Sequence, residues 1–120
     1  MPYTYSFEKL DVWQDSRILV RMVYLVTKNY PESQRHSLAN QMQRAAVSVS
    51  SNIAEGASRS SSKEQIRFYE IAFGSITELY CQAILSNDLG FTDEKNFIEI
   101  KEVIQRISNK LNSLCKSIRH

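Results

Sequence analysis

Glycine and proline are scarce, at three and two in 120 residues. A sheet protein of this length spends more of both on its turns, so composition favours helices. Cysteine is as rare: Cys81 and Cys115 each lie on an apolar-rich segment, without C-x-x-C spacing. That argues against a disulfide framework or a zinc site, and for two buried free thiols in a reducing cytoplasm. No apolar run approaches the roughly 20 residues that span a bilayer. The amino-terminal stretch also lacks the basic-then-apolar pattern of a secretory signal. The expectation is a soluble, cytoplasmic protein with no membrane partner.

Chemical signatures are missing as well. There is no Gly-rich phosphate loop, no H-E-x-x-H, no G-x-S-x-G and no Glu-x-x-His. His36 falls at a helix start and His120 at the end of the chain, neither with a constellation around it. No catalytic residue, metal ligand or cofactor is expected, and the chain reads as a non-enzyme. Nor is one sign of charge dominant: fifteen Lys and Arg against thirteen Asp and Glu leave a net +2, too mild to demand a nucleic-acid partner.

What is present is helical periodicity. Hydrophobic residues make up 42% of the chain, enough for one domain over residues 1–120. The spacing predicts a first helix from Glu8 to Asn29 with an apolar stripe of Leu10, Trp13, Val20 and Tyr24, widened by Leu19, Met22, Val23 and Val26. Tyr3, Tyr5 and Phe7 alternate ahead of it, as in an extended lead-in. Tyr30-Pro31 ends that helix. A second helix begins near Glu32 to Arg35 and runs to Glu55, closed by Gly56 as a left-handed C-terminal residue. Ser61-Ser62-Lys63-Glu64 has the capping-box pattern for a third helix, which Leu89-Gly90 stops. Gly74, inside that helix, is expected to lie against the small side of the second at Ala45, Ser48 and Asn52. Thr92 reads as the N-cap of a fourth helix. There Phe97, Ile100, Ile104, Ile107, Leu111, Leu114 and Ile118 keep a heptad seam without a miss. Four amphipathic helices on short links predict an all-α, antiparallel up-down-up-down four-helix bundle.

Two sets of side chains are candidates for a site. The second helix carries Gln41, Ser48, Asn52 and Glu55 at helical steps, with Arg44 beside them and Glu70 and Glu78 on the facing helix. These read as a structural polar network fixing register between helices or subunits, in preference to a ligand or RNA site. Basic residues form three clusters that phosphates would suit: Arg17, Arg21 and Lys28; Arg59, Lys63 and Arg67; and Arg106, Lys110, Lys116 and Arg119 in a segment without acids. A solvated helix face is the plain alternative for each. No aromatic residue interleaves them in the sequence to offer base stacking.

R-A-A-V-S-V-S-S-N-I-A-E-G, from Arg44 to Gly56, resembles the hallmark of a bacterial four-helix-bundle family encoded in intervening sequences of large-subunit ribosomal RNA genes. F-E-K-L-D-V-W-Q (Phe7 to Gln14), the pair Gln41-x-x-Arg44, Tyr30-Pro31 and I-A-F-G-S-I-T-E-L (Ile71 to Leu79) extend the resemblance over nearly the whole chain. It implies a ring-like homo-pentamer and kinship to the accessory variability protein of diversity-generating retroelements. That relative is a strongly basic pentamer working with reverse transcriptase and RNA, whereas this chain is only mildly basic. The function it implies is a non-enzymatic, oligomeric interaction or scaffold protein, with structured RNA or a ribonucleoprotein as partner. The competing reading is a binding module holding a small ligand in the pentamer pore or an inter-subunit cleft.

Overall fold

The computed structural model describes residues 5–119. A short 3-10 turn, Ser6–Lys9, leads into α1 (Asp11–Thr27), and a second, Glu32–Gln34, into α2 (Leu38–Ser58). α3 (Ser62–Asp88) and α4 (Glu94–Ile118) follow. Each helix runs antiparallel to its neighbour in sequence. α1 packs on α2 and α4, and α3 on the same two, so α1 and α3 occupy opposite corners and do not touch. The expected four-helix bundle is the observed one.

The core forms where the four apolar stripes meet. Leu19 and Val23, Met42, Val49 and Ile53, Ile76 and Leu79, and Ile107 and Leu111 are all shielded from solvent. Each aliphatic side chain buried this way contributes about 1.5–3 kcal/mol. The α4 seam is as expected, with Ile100, Ile104, Ile107 and Leu111 buried and Phe97, Leu114 and Ile118 packed at its margin. Two hydroxyls converge on one sulfur in the core: Tyr30, from the loop after α1, and Ser86 of α3 both donate to Met42 Sδ, at 3.4 and 3.3 Å. Thr92 Oγ1 lies 2.7 Å from the Tyr30 hydroxyl.

Several boundaries and faces differ from expectation for physical reasons. The first helix starts at Asp11, because Leu10 is extended and Glu8 accepts the Tyr5 amide at 2.9 Å to close the preceding turn. Tyr5 is extended, as the lead-in requires, but Phe7 lies within that turn, and Tyr3 lies outside the described residues. The buried face of α1 is Val12, Ser16, Leu19, Val23 and Thr27, with Tyr24 outside it. Ser16 and Thr27 tolerate burial by donating to the carbonyls of Trp13 (2.6 Å) and Val23 (2.7 Å). The second helix starts only at Leu38, after the 3-10 turn. Asp93, one residue after Thr92, caps α4 by accepting the Asn96 amide at 2.8 Å. Ser61 caps α3 as expected, accepting from the Glu64 amide at 3.1 Å.

The glycines exchange roles. Gly56 sits inside α2 without a left-handed φ, and a Cβ there would lie 2.7 Å from Tyr69 Cε1 of α3. Gly56 is therefore the close-approach glycine. Gly74 is exposed, and beyond its own helical turn no described atom lies within 4 Å of an added Cβ. Its neighbour Ser75 makes the α2 contact instead, its Oγ 2.8 Å from Ser48 Oγ. Gly90, φ +78°, takes the left-handed turn after α3. Of the two thiols only Cys115 is buried; Cys81 faces out.

α1 and α4 are joined by charge. Asp15 is 8% exposed, and its carboxylate accepts from Lys110 Nζ at 2.7 Å and Arg106 Nη1 at 3.5 Å.

Gly56→Ala gains about 1 kcal/mol of helix propensity but forces Tyr69 aside, an overpacking cost of about 1–3 kcal/mol. Urea unfolding is expected to show a net loss of stability and a lower midpoint. Asp15→Ala strips two cations of their shared acceptor, and a hydrogen bond to a charged group contributes about 1.5–3 kcal/mol. The expected result is a similar destabilisation, read in the same titration.

Candidate functional site

The polar stripe of α2 divides into two parts. Gln41, Arg44, Ala45, Ser48 and Glu78 line a groove of about 360 Å³ between α2 and α3. Within it, Ser48 bridges to Ser75, and Asn52 donates through Nδ2 to the Ser48 carbonyl (2.8 Å) and hydroxyl (3.1 Å). This chain of bonds joins α2 to α3, as a register-fixing network would. Glu55 stands apart and binds Arg59, Nη2 to Oε2 at 2.7 Å. Glu70 is not part of the stripe at all: it pairs with Arg119 at the end of α4, at 2.8 Å.

The basic clusters are not equivalent. In the C-terminal one, Arg106 and Lys110 reach the buried Asp15, and Arg119 meets Glu70 in an exposed pair. The acids that neutralise this cluster come from α1 and α3, which no local reading of the segment could supply. Arg17, Arg21 and Lys28 all lie on the exposed side of α1, and Arg17 rests over the Trp13 ring at 5.3 Å. None of the three has an ion-pair partner among the described residues.

Around the α2–α3 turn the arrangement is different again. Arg59 and Arg67 both lie over the Phe68 ring, 4.8 and 5.2 Å from its centre, with exposed Lys63 on the turn between them in sequence. Both arginines also reach carboxylates, Arg59 to Glu55 and Arg67 to Glu64 at 3.4 Å, in exposed pairs that hold them weakly. Aromatic rings thus do interleave two of the basic clusters, contrary to the expectation from sequence. The signals were Trp13 four residues before Arg17 and Phe68 directly after Arg67; the approach of Arg59 to Phe68 across the turn had no local signal.

A further hollow of about 300 Å³ opens between α3 and α4, lined by Tyr69, Phe73, Leu111 and Cys115 among others. Burial pushes the Tyr69 hydroxyl up in pKa, with the neighbouring Cys115 adding to it. Burial likewise raises the Cys115 thiol, with Arg119 opposing and Glu70 reinforcing. A thiol held protonated in this way is not a nucleophile. Among the described residues no three His, Cys, Asp or Glu side chains are grouped to hold a metal ion, and no helix is long and apolar enough to cross a membrane.

Comparison with known proteins bears on the same residues. The fold matches the crystal structure of a protein of unknown function from the S23 ribosomal protein family of Bacteroides thetaiotaomicron, with a TM-score of 0.79 at 23% identity. The match covers 88% of this chain and 98% of that one. At that identity it speaks for the fold alone. No curated protein matches the sequence. The family model for the 23S rRNA-intervening sequence protein matches residues 8–113, which takes in all of α1, α2 and α3 and most of α4. With so much of its length matched, the chain belongs to the 23S rRNA-intervening sequence protein family.

Proposed function

We propose that the protein is a non-enzymatic scaffold that assembles as a homo-pentameric ring and holds structured RNA, alone or in a ribonucleoprotein, by its phosphates. The observation that carries the RNA part is the turn between α2 and α3, where Phe68 holds Arg59 and Arg67, with exposed Lys63 in the first turn of α3. A guanidinium resting on an aromatic ring has lost part of its rotamer freedom already, so less is lost when it meets a phosphate. The exposed carboxylate partners Glu55 and Glu64 exchange readily for a phosphate oxygen. The N-terminus of α3, opening at Ser62, adds the positive end of a helix dipole to the same turn. A net +2 per chain is weak, but a closed ring repeats the turn on every subunit and presents the copies together.

The pentamer is what the sequence resemblance implies, and self-association is supported by side chains one bundle leaves uncovered. Leu25, Leu85 and Leu89 are 60%, 47% and 62% exposed, which is costly for a protein that stays monomeric. Light scattering at micromolar concentration is expected to give about five times the 13.9 kDa chain mass. A monomer there rejects the ring.

For RNA, fluorescence anisotropy at several salt concentrations is expected to show tight binding at low salt that weakens steeply as salt rises. Arg59→Ala with Lys63→Ala should flatten the plot of log affinity against log salt by about 0.7–0.9 for each phosphate the variant no longer neutralises. Absence of binding at low salt by the assembled protein rejects the RNA reading, and an unchanged slope removes the turn as the site.

A further inference from the structure

The exposed apolar side chains are not spread evenly over the bundle. Ile18, Tyr24 and Leu25 lie on the outer side of α1, and Ile71, Ile84, Leu85 and Leu89 on or at the end of α3. α2 and α4 expose only Val47 and Ile98 among large hydrophobic residues. Two opposite corners of the bundle thus carry apolar faces with nothing over them, while the other two are solvated.

The charges on these two faces have opposite sign. At 100° per residue, Arg17, Ile18, Arg21, Tyr24, Leu25 and Lys28 fall within about a third of the α1 circumference. The one acid between Val12 and Asn29 is Asp15, buried beneath Arg106 and Lys110. On α3 there is no lysine or arginine between Arg67 and Lys95, and the outer side presents Glu78 and Asp88 without ion-pair partners among the described residues. Lengths agree as well: Arg17 to Lys28 spans about 16 Å of helix and Glu78 to Asp88 about 15 Å, at 1.5 Å per residue. Gly74 lies on this same outer side of α3, with open space above it. A helix glycine costs about 1 kcal/mol, and nothing among the described residues accounts for it; a neighbouring helix seated close on that face would.

We infer that the outer face of α1 in one copy docks on the outer face of α3 in the next. This rests on the reading that the protein self-assembles and adds which surfaces do it. Pairing α1 with α1 would set arginines and lysine against their own kind, and α3 with α3 would set acid against acid. The opposed pairing joins unlike charges over a shared apolar strip. Because the two faces are different, the contact is head-to-tail, which makes a ring when the rotation between copies closes and an open filament when it does not. It also commits Arg17, Arg21 and Lys28 to the neighbouring subunit, which leaves the α2–α3 turn for RNA.

The test uses two variants of the full chain, Arg21→Glu/Leu25→Glu on α1 and Glu78→Lys/Leu85→Lys on α3, with mass read by light scattering. All four positions are exposed, so circular dichroism should show unchanged helicity. Each variant alone is expected to be a monomer, having lost one of the two faces. Mixed in equal amounts they are expected to form a dimer of about twice 13.9 kDa, since each keeps the face the other needs, and to grow no further. Should either double variant lose helicity, Lys28→Glu mixed with Asp88→Lys repeats the comparison. If wild type is an oligomer and the variants remain oligomers, or the mixture stays monomeric, this interface is wrong while self-assembly stands. A monomeric wild type overturns both.

Discussion

The close approach of α2 to α3 is the constraint on which the rest of this bundle depends. These two helices pack together more extensively than any other pair, and what permits it is lack of bulk. Gly56 lets the Tyr69 ring lie where a methyl group would stand, Ala45 is buried with little volume, and Ser48 meets Ser75 hydroxyl to hydroxyl. A seam of small residues fixes how far one helix may slide along the other, because only one register brings Tyr69 over Gly56 while pairing the serines. Once α3 is so placed, its C-terminal half brings Ser86 to Met42, and Met42 in turn receives Tyr30 from the loop after α1. The remaining interface, α1 with α4, is closed by Asp15 beneath two cations.

That arrangement decides which sides of the bundle are left over. The apolar stripes of α2 and α4 are consumed in the core, and their outer sides are polar. α1 and α3 have apolar residues on more than one side, and a four-helix square buries only the inward ones. The excess is a surface chemistry of two parts, apolar with bases on α1 and apolar with acids on α3. The α2–α3 turn, at the end of the bundle, is a third kind of surface, basic with an aromatic ring. On the proposed reading, assembly falls to the outer faces of α1 and α3 and RNA binding to the α2–α3 turn.

The fold was legible because helix periodicity is a local property. The seven-position seam of α4 and the turn at Tyr30-Pro31 could be read directly, as could the Ser61 cap. Errors came where one residue decides a face. Gly74 and Ser75 are adjacent, yet a helix turns about 100° between them, and Ser75 alone reaches α2. Gly56 reads as a helix stop because glycines commonly are, whereas its function is set by Tyr69 on another helix. Cys81 sits on an apolar-rich segment but on its outward side, a distinction that hydrophobicity alone does not draw. The site was less legible still. Asp15 meets Arg106 and Lys110 from the far end of the chain, so a segment that reads as purely basic is partly neutralised. The stacking of Arg59 on Phe68 exists only once α2 and α3 have turned back on each other.

The central claim is that the outer faces of α1 and α3 are covered in the working protein although one chain leaves them bare. Hydroxyl-radical footprinting of the native protein, read residue by residue by mass spectrometry, tests it directly. Leu25, Leu85 and Tyr24 should be modified far more slowly than their exposure in a single chain implies, while Val47 and Ile98 on α2 and α4 react at the rate their exposure predicts. If the α1 and α3 residues are modified as readily as Val47 and Ile98, those faces are open to water and the account is contradicted.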